Sequence, residues 1–258
     1  MFEKIKCFIL DMDGTIYLGN ELFSFTKDFL KKVDETGRKY YFFTNNSSKS
    51  QQDYIEKLER FGIRIKRQQM MTSTHVISRY LKQHYEGKSV YVLGTPSLIQ
   101  EFQYFDMNLT EEDPDIVVLG FDTTLTYEKL SKACHYIRNG CIYFGINPDW
   151  NCPMEGGAFI PDCGSIAKLI EASTGRFPEF FGKPSKHTLD YIIQQTGYEP
   201  DEIAIVGDRL YTDIAVADQS DVTSILVLSG ESTREDVKTS DVKPNVILED
   251  LSEITKML

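Results

Sequence analysis

The arrangement of apolar segments along the chain constrains its fold more than any other feature of the sequence. Ile5–Leu10 and Lys39–Phe43 have the length and the aromatic and β-branched residues of buried strands. Each is followed by a stretch whose apolar residues recur at helical spacing. A strand, helix, strand, helix order predicts parallel strands. Neighbouring strands that run in the same direction need a crossover connection, and a helix usually supplies it. The same alternation returns near the C-terminus, where one helix is predicted at Asp213–Asp218, so we predict an α/β protein built on a parallel sheet.

Four polar clusters come directly after apolar strands of this predicted sheet. In chain order they are Asp11–Thr15, Thr44–Asn46, Gly182–Pro184 and Gly207–Asp213. The carboxyl ends of the strands in an open parallel sheet share one edge, and ligands bind at that edge. We therefore expect these clusters to lie close together although they are far apart in the sequence.

The first cluster carries the most chemical information. Asp11 and Asp13 are two residues apart, so both carboxylates can point to the same side of an extended backbone. A cation would relieve their mutual repulsion, and Asp208 adds a third carboxylate after the apolar run Ile203–Val206. Asp and Gly are also ordinary turn residues. Their order here, Asp-x-Asp-Gly-Thr directly after an apolar strand, favours a site for a hard divalent cation instead.

The other clusters are open to two interpretations each. Thr44 and Asn45 offer hydroxyl and amide groups that suit phosphate oxygens, yet a polar run after a strand often only caps the next helix. Lys183 could supply a fixed positive charge, although a single lysine is usually a surface charge. Asp208 and Asp213 could bind a metal ion, or they could simply be acidic residues that favour a helix N-terminus.

The spacing of these clusters predicts an inserted domain. Thr44 follows Asp11 by 33 residues, which leaves room for one helical crossover and no insertion. Lys183 follows Thr44 by 139 residues, and the stretch between them has its own alternation of strands and helices. We therefore predict a core formed by residues 1–77 and 181–258 and an inserted α/β domain at residues 78–180.

In this order and at these spacings, the clusters resemble the four motifs of the haloacid dehalogenase-like (HAD) hydrolases. Asp11–Thr15 is similar to the first motif, Thr44 to the second, Lys183 to the third, and Asp208 with Asp213 to the fourth. Finer features resemble the NagD-like, p-nitrophenylphosphatase branch (subfamily IIA), and they are Thr44–Ser48, Leu119–Asp122 with Thr126 and Tyr127, Asn147–Asp149, Gly164–Ile166, Gly182–Ser185, and Gly207–Arg209 with Thr212 and Asp213. The resemblance implies a Rossmann-like parallel sheet core and an inserted α/β cap that determines substrate specificity.

The resemblance also implies a reaction, which is the Mg²⁺-dependent hydrolysis of small phosphomonoesters such as sugar phosphates, nucleoside monophosphates and p-nitrophenyl phosphate. Asp11 would attack phosphorus and carry an aspartyl-phosphate. Asp13 would protonate the leaving oxygen and then activate water, as general acid and general base. By the same resemblance, Thr44, Asn45 and Lys183 would bind the oxygens of the transferring phosphoryl group.

The ligands of the Mg²⁺ ion are likewise implied by the resemblance. They would be the carboxylates of Asp11 and Asp208 and the backbone carbonyl of Asp13. Asp213 would steady these ligands from the outer coordination shell.

A segment of the predicted cap is a candidate for substrate selection. Gly145–Glu155 leaves a predicted strand and is rich in Asn, Asp and Pro, which is typical of a loop. By resemblance, this loop faces the active site, and Asn147, Asp149 and Trp150 would determine substrate specificity. Trp150, the only tryptophan of the chain, could stack on a sugar or a base, or it could anchor the loop in the core of the cap.

Composition and charge exclude several classes of function. The chain has 258 residues, with 28 Lys and Arg against 39 Asp and Glu, and a net charge of −11. This acidic excess argues against binding to nucleic acid or to an anionic membrane, since both favour clustered basic residues. Five cysteines without a CxxC pair, and no long apolar stretch, indicate a cytoplasmic protein with reduced thiols. The expected partner is a small phosphorylated metabolite, and a homo-oligomer formed through the cap is compatible with the sequence.

Two alternatives to a phosphatase come from neighbouring classes. A phosphomutase or a phosphonate-cleaving relative typically carries its cap between the first and second motifs, where this chain has no room. A catalytically idle protein that only binds a phosphorylated metabolite would not need Asp11, Asp13, Lys183 and Asp208 together. We therefore predict an enzyme, and turnover of p-nitrophenyl phosphate with added Mg²⁺ distinguishes it from the idle binder.

Overall fold

The computed structural model describes residues 2–154 and 157–258, so Met1, Glu155 and Gly156 lie outside the described residues, including the last residue of the loop segment predicted at Gly145–Glu155. The strands are β1 (Cys7–Leu10), β2 (Tyr17–Leu18), β3 (Glu21–Leu22), β4 (Lys39–Thr44), β5 (Met70–Thr72), β6 (Val90–Leu93), β7 (Ile116–Leu119), β8 (Ile142–Gly145), β9 (Asn151–Pro153), β10 (Phe159–Pro161), β11 (Glu179–Phe180), β12 (Ile203–Gly207), β13 (Thr223–Val227) and β14 (Val246–Leu248). The helices are α1 (Thr26–Glu35), α2 (Gln51–Arg60), α3 (Ser73–His84), α4 (Pro96–Tyr104), α5 (Tyr127–Arg138), α6 (Cys163–Thr174), α7 (Lys186–Thr196), α8 (Arg234–Thr239) and α9 (Leu251–Met257). None of the described helices has both the length and the apolar character needed to cross a membrane.

A six-stranded sheet organises the first of two compact units, which comprises Met1–Thr44, Ile55–Met71 and Lys183–Leu258. The strand order is β14-β13-β12-β1-β4-β5, and neighbours from β14 to β4 are parallel. From β1 the chain first builds β4 and β5 on one side and later β12, β13 and β14 on the other. The strand order therefore reverses between β1 and β12, which is the position where open α/β sheets bind ligands.

The two strands at this reversal are continuous apolar runs because both of their faces are covered. All residues of β1 and of β12 are buried, as expected for parallel strands with helices on both sides of the sheet. Phe8 of β1 packs edge to face on Phe29 of α1, with ring centroids 5.6 Å apart. The spacing that predicted α1 places Phe29, Leu30 and Val33 on the buried side of that helix. The predicted fold class is confirmed.

The second compact unit comprises Asn45–Tyr54 and Thr72–Gly182. It contains a parallel four-stranded sheet in the order β11-β8-β7-β6, and the antiparallel pair β9 and β10. Strands β6, β7, β8 and β11 follow one another across the sheet without a reversal, so this sheet has no switch point of its own. The sequence predicts the insert at 78–180, whereas this unit begins at Thr72 and also takes in the ten residues of Asn45–Tyr54.

Two predicted elements differ from the structure. In place of a helix at Asp213–Asp218, a π-helical turn spans Leu210–Ile214 and a 3₁₀ turn follows at Ala215–Ala217. The carboxylate of Asp213 accepts the backbone N–H of Arg209 (3.1 Å), and this contact turns the segment back toward the end of β12. Within the segment predicted as a loop, Asn151–Pro153 instead forms β9.

Candidate active site

Three carboxylates converge at the point where the order of the strands reverses. Asp11 follows β1, and its backbone N–H donates to the carbonyl of Val206 in β12 (2.9 Å), so the two strand ends are in register. Asp208 follows β12, and Asp213 lies in the π-helical turn beyond it. Carboxylate oxygens of Asp11, Asp208 and Asp213 all lie within 4.8 Å of one another. The structure thus brings together the first and fourth polar clusters of the sequence.

Lys183 supplies a positive charge to this group from the third cluster. Its Nζ lies 2.6 Å from Oδ1 of Asp11 and 2.5 Å from Oδ1 of Asp213, and it also donates to the carbonyl of Phe43 (3.4 Å). The Lys183 side chain is only 4% exposed, so it is not a surface charge. Asp213 has donors on both oxygens, since its Oδ2 accepts the N–H of Arg209. The carboxylate of Asp213 is therefore held by hydrogen bonds on both oxygens, and its role in the outer coordination shell stays a prediction.

Burial and electrostatic repulsion raise the pKa of two of the carboxyls. Burial raises the pKa of Asp11 well above its ordinary value, and the carboxylate of Asp213 adds to the shift, whereas Lys183 opposes it. Burial, with Asp213 as the next cause, raises the pKa of Asp208 to about 7. Burial alone would lower the pKa of Lys183, but Asp11 and Asp213 outweigh it, and the net shift is upward. Lys183 is therefore charged, but its single positive charge does not balance the three carboxylates.

The oxygen atoms of Asp208 fit a divalent cation. Oδ2 accepts the backbone N–H of Glu231 (2.7 Å). Oδ1 is buried and has no hydrogen-bond partner within the described part of the chain. Leaving a buried carboxylate oxygen without a donor is costly, and a hard cation bound by this oxygen and by Asp11 would satisfy it. The carboxylates present therefore suit Mg²⁺, which prefers oxygen ligands.

Two glycines allow neighbouring loops to approach Asp208. A Cβ on Gly14 would lie 2.4 Å from Oδ2 of Asp208, and a Cβ on Gly230 would lie 2.1 Å from the same atom. Gly14 also has φ +86°, a conformation that favours glycine. Both loops therefore require glycine for steric reasons.

Asp13 lies at the base of the hairpin formed by β2 and β3. Its Oδ1 accepts the backbone N–H of Gly19, between the two strands (3.2 Å). The carboxylate of Asp13 is not part of the three-carboxylate group. The backbone carbonyl of Asp13 as a metal ligand stays a prediction.

The second polar cluster is divided between the two compact units. Thr44 ends β4 in the first unit and is buried. Asn45 belongs to the second unit, where its Nδ2 donates to Oδ2 of Asp149 (2.9 Å). The cap of α2 is formed instead by Ser50, whose Oγ accepts the N–H of Asp53 (3.2 Å). Phosphate binding by Thr44 and Asn45 stays a prediction.

The three residues predicted to determine specificity differ in exposure. Asn147 and Asp149 are buried, and Nδ2 of Asn147 donates to Oδ2 of Asp149 (2.8 Å) and to Oδ1 of Asp162 (3.0 Å). Oδ1 of Asn147 accepts from the hydroxyl of Ser47 (2.6 Å). Trp150 is instead 48% exposed, and whether it contacts substrate stays a prediction. Asn147 and Asp149 hold the second unit together internally, and Trp150 presents a ring to solvent.

One polar loop at the same sheet edge is absent from the sequence prediction. Ser229–Ser232 follows β13, and Glu231 in this loop contacts Asp208 as described above. The hydroxyl of Ser229 donates to the carbonyl of Gly14 (2.7 Å), so the loop also reaches the turn after β1. Its signal is the one that identified the other clusters, a polar run directly after an apolar strand, and it could have been found in the same way.

Comparison with known proteins identifies the family. One family model, described as haloacid dehalogenase-like hydrolase, matches residues 8–108, and a second, described as HAD-hydrolase-like, matches residues 180–254. The acid sugar phosphatase of Staphylococcus aureus (strain MRSA252) is 34% identical to the chain over 252 residues, which are 97% of each protein.

Solved structures agree over nearly the whole chain. The 4-nitrophenylphosphatase of Thermotoga maritima is 42% identical, with a TM-score of 0.95, and the match covers 99% of this chain and 98% of that one. NagD from Escherichia coli K-12 is 30% identical, with a TM-score of 0.88, and the match covers 96% of this chain and 98% of that one. The chain therefore belongs to the haloacid dehalogenase-like hydrolases, as a phosphatase of the NagD-like, p-nitrophenylphosphatase branch that its motifs predicted.

Proposed function

We propose that the chain hydrolyses small phosphomonoesters, sugar phosphates or nucleoside monophosphates, in a Mg²⁺-dependent reaction through an aspartyl-phosphate on Asp11. The observation that carries the proposal is the group of Asp11, Asp208 and Asp213 at the switch point of the sheet, with Lys183 buried among them. The names of the relatives from S. aureus and T. maritima, an acid sugar phosphatase and a 4-nitrophenylphosphatase, support the same class of substrate.

The proposed metal ligands are the carboxylates of Asp11 and Asp208 and the backbone carbonyl of Asp13, with Asp213 in support. Phosphatases of this family typically use a divalent metal ion. When bound, Mg²⁺ would keep both carboxylates ionised and polarise an oxygen of the phosphoryl group.

Asp11 is the proposed nucleophile. Its Oδ1 contacts Nζ of Lys183 (2.6 Å), which fixes the orientation of the carboxylate, so Oδ2 is the oxygen proposed to attack phosphorus. The new bond joins Oδ2 to phosphorus while the bond from phosphorus to the ester oxygen breaks. Lys183 and Thr44, with Asn45, are proposed to bind the remaining phosphoryl oxygens, whose charge Lys183 offsets.

Asp13 is the proposed acid and base. Its carboxyl group donates a proton to the departing ester oxygen and then takes one from the water that attacks the aspartyl-phosphate, so it ends the cycle as it began. The N–H of Gly19 on Oδ1 of Asp13 holds the carboxyl group at the base of the β2–β3 hairpin. Inorganic phosphate and the free alcohol are the products.

We also propose that residues 78–180 act as the cap that selects the substrate. Trp150, which is half exposed, is proposed to contact the substrate and so to determine which substrates are preferred. Asn147 and Asp149 are proposed to act by holding the shape of the segment that carries Trp150, because both are buried and hydrogen-bonded within the second unit.

A reducing, cytoplasmic environment fits the thiols of this chain. Its five cysteines are all free, and three of them are buried. Paired cysteines would be expected in an oxidising compartment.

The test is turnover of p-nitrophenyl phosphate by the purified chain, with Mg²⁺ and after its removal with EDTA. Activity that needs Mg²⁺, together with loss of turnover in Asp11→Asn, is the expected result, since an amide is neither a nucleophile nor an anionic ligand. Trapping of a phosphorylated chain that is absent in Asp11→Asn tests the aspartyl-phosphate. Binding of phosphorylated metabolites without any turnover would instead establish the idle binder, and undiminished activity in EDTA would contradict the metal requirement.

A further inference from the structure

We propose that Glu231 is a positioning residue for the divalent cation, because it holds its own backbone amide on one oxygen of Asp208 and thereby reserves the other oxygen for the metal ion. The proposal rests on the proposed function, in which Asp208 is a metal ligand. It assigns a role to a loop, Ser229–Ser232, that the four motifs do not include.

The two oxygens of the Asp208 carboxylate have different surroundings. Oδ2 accepts the N–H of Glu231 at 2.7 Å, while Oδ1 is buried and lacks a hydrogen-bond partner in the residues that the structure describes. A carboxylate can rotate about its terminal bond. A fixed N–H donor on one oxygen restricts this rotation, so the other oxygen, Oδ1, keeps one orientation before the metal ion arrives.

The side chain of Glu231 fixes the donor in place. Its Oε1 accepts from the hydroxyl of Tyr211 (2.7 Å), and its Oε2 lies 3.0 Å from Nε of Arg209. Arg209 directly follows Asp208, and Tyr211 comes two residues later, so both partners belong to the segment that carries the metal ligand. The side chain of Glu231 therefore clamps its loop to that segment.

Further hydrogen bonds hold the same loop on Asp208. The N–H of Ser232 donates to the carbonyl of Asp208 (3.1 Å), and the hydroxyl of Ser232 accepts the N–H of Leu210 (3.2 Å). These bonds remain when the Glu231 side chain is altered, so the loop stays attached. Only the hydrogen bond from the Glu231 N–H to Oδ2 of Asp208 is expected to weaken. A partly exposed ion pair contributes only about 0–1 kcal/mol to stability, so the effect of the clamp is expected on metal binding and not on folding.

The experiment compares Mg²⁺ binding to the full chain by isothermal titration calorimetry in two variants. Glu231→Gln removes the charge that pairs with Arg209, and Tyr211→Phe removes the hydroxyl without changing any charge. We expect about tenfold weaker Mg²⁺ binding in Glu231→Gln, the size typical of residues that orient metal ligands, and a smaller loss of the same sign in Tyr211→Phe. Because both act through one clamp, the double variant should bind about as weakly as Glu231→Gln alone.

The matched control is Glu249→Gln, which breaks an exposed ion pair with Arg234 in the same compact unit. It removes the same charge from the chain and should leave Mg²⁺ affinity unchanged. Melting temperatures in EDTA should agree with wild type for all variants, which shows that any loss of affinity is not a loss of folding.

Each outcome bears on the proposal. Wild-type affinity in both Glu231→Gln and Tyr211→Phe would overturn it while leaving the proposed function intact. A loss in Glu231→Gln without any loss in Tyr211→Phe would show a simple effect of charge and would also overturn the positioning role. A wild-type chain that binds no Mg²⁺ would instead overturn the proposed function, and this inference with it.

Discussion

Replacing Lys183 with methionine tests the electrostatic account of the active site most directly. Nζ of Lys183 is the positive charge that the structure places against the carboxylates of Asp11 and Asp213, at 2.6 and 2.5 Å. Methionine has similar length and no charge, so Lys183→Met fills the same space and leaves the carboxylates without their ammonium partner. The metal-free chain is the proper sample, because a bound cation would compensate for the lost charge.

The expected loss of stability is large. Removing one partner of a buried ion pair typically costs about 3–5 kcal/mol, and for a chain of this size each kcal/mol lowers the melting temperature by about 2–4 °C. Lys183→Met should therefore melt about 6–20 °C below wild type in EDTA at about pH 8. The control Lys88→Met breaks an exposed pair with Asp115 and should change the melting temperature by about 4 °C or less.

The pH dependence of this loss has a definite sign. The pKa of Asp208 is raised to about 7, and that of Asp11 is also raised. Ionisation of these carboxyls therefore destabilises the fold as the pH rises above the pKa values that they have in the unfolded chain. The upward-shifted pKa of Lys183 keeps its stabilising charge throughout this range. As the pH falls below about 7, Asp208 takes up a proton and its repulsion of the neighbouring carboxylates is removed, so the difference between Lys183→Met and wild type should shrink.

Thermal denaturation followed by circular dichroism, in EDTA at about pH 5 and about pH 8, measures both effects. A variant that melts within about 2 °C of wild type at the higher pH would refute the reasoning, since Lys183 would then not be balancing buried charge. The reasoning would also fail if the difference grew as the pH fell.

Three further predictions concern the reaction and the cap. Asp13→Asn should slow the phosphorylation step more for alkyl esters than for p-nitrophenyl phosphate, because only a poor leaving group needs its proton, and equal slowing in rapid-quench assays would contradict the general-acid role. Mg²⁺ affinity should fall by up to about tenfold per pH unit below about pH 7, because protons compete with the ion for Asp208. Calorimetry across that range measures the affinity, and an affinity that does not change with pH would contradict this prediction. Trp150→Ala should change the order of kcat/KM among sugar phosphates, nucleotides and p-nitrophenyl phosphate without changing the stability of the chain. Asp149→Ala should change this order and also destabilise the chain by about 1–3 kcal/mol, because it removes the acceptor of two buried amide groups. A uniform loss of kcat/KM for all substrates in Trp150→Ala would contradict the specificity assignment.

The sequence predicted the main sheet because its information is local. The apolar run of β1 and the helical spacing of Phe29, Leu30 and Val33 report which residues are buried, and burial is what orders strands and helices. The convergence of Asp11 and Asp208 also followed from local signals, since parallel strands bring their carboxyl ends to one edge.

Other features depend on contacts between distant residues. The π-helical turn at Leu210–Ile214 accompanies a carboxylate of Asp213 that reaches Lys183, 30 residues away, and helical propensity carries no trace of that contact. The side chain of Asn45 is bound by Asp149, 104 residues away, although a polar residue after a strand reads as a cap or a phosphate ligand. α3 is also absent from the sequence prediction, although its Val76, Ile77 and Leu81 follow helical spacing and the local signal for this helix is therefore present.

The charges around Asp11 have a consequence for the choice of ion. Three carboxylates and one ammonium group, those of Asp11, Asp208, Asp213 and Lys183, leave two negative charges when all four groups are ionised. Electroneutrality then requires a valence of two: a monovalent ion such as Na⁺ leaves a deficit, and a trivalent lanthanide leaves an excess. Ions of the same valence and similar size, Mn²⁺ foremost, satisfy the balance and prefer the same oxygen ligands, so they should be able to take the place of the proposed Mg²⁺, whereas Na⁺ and K⁺ should not.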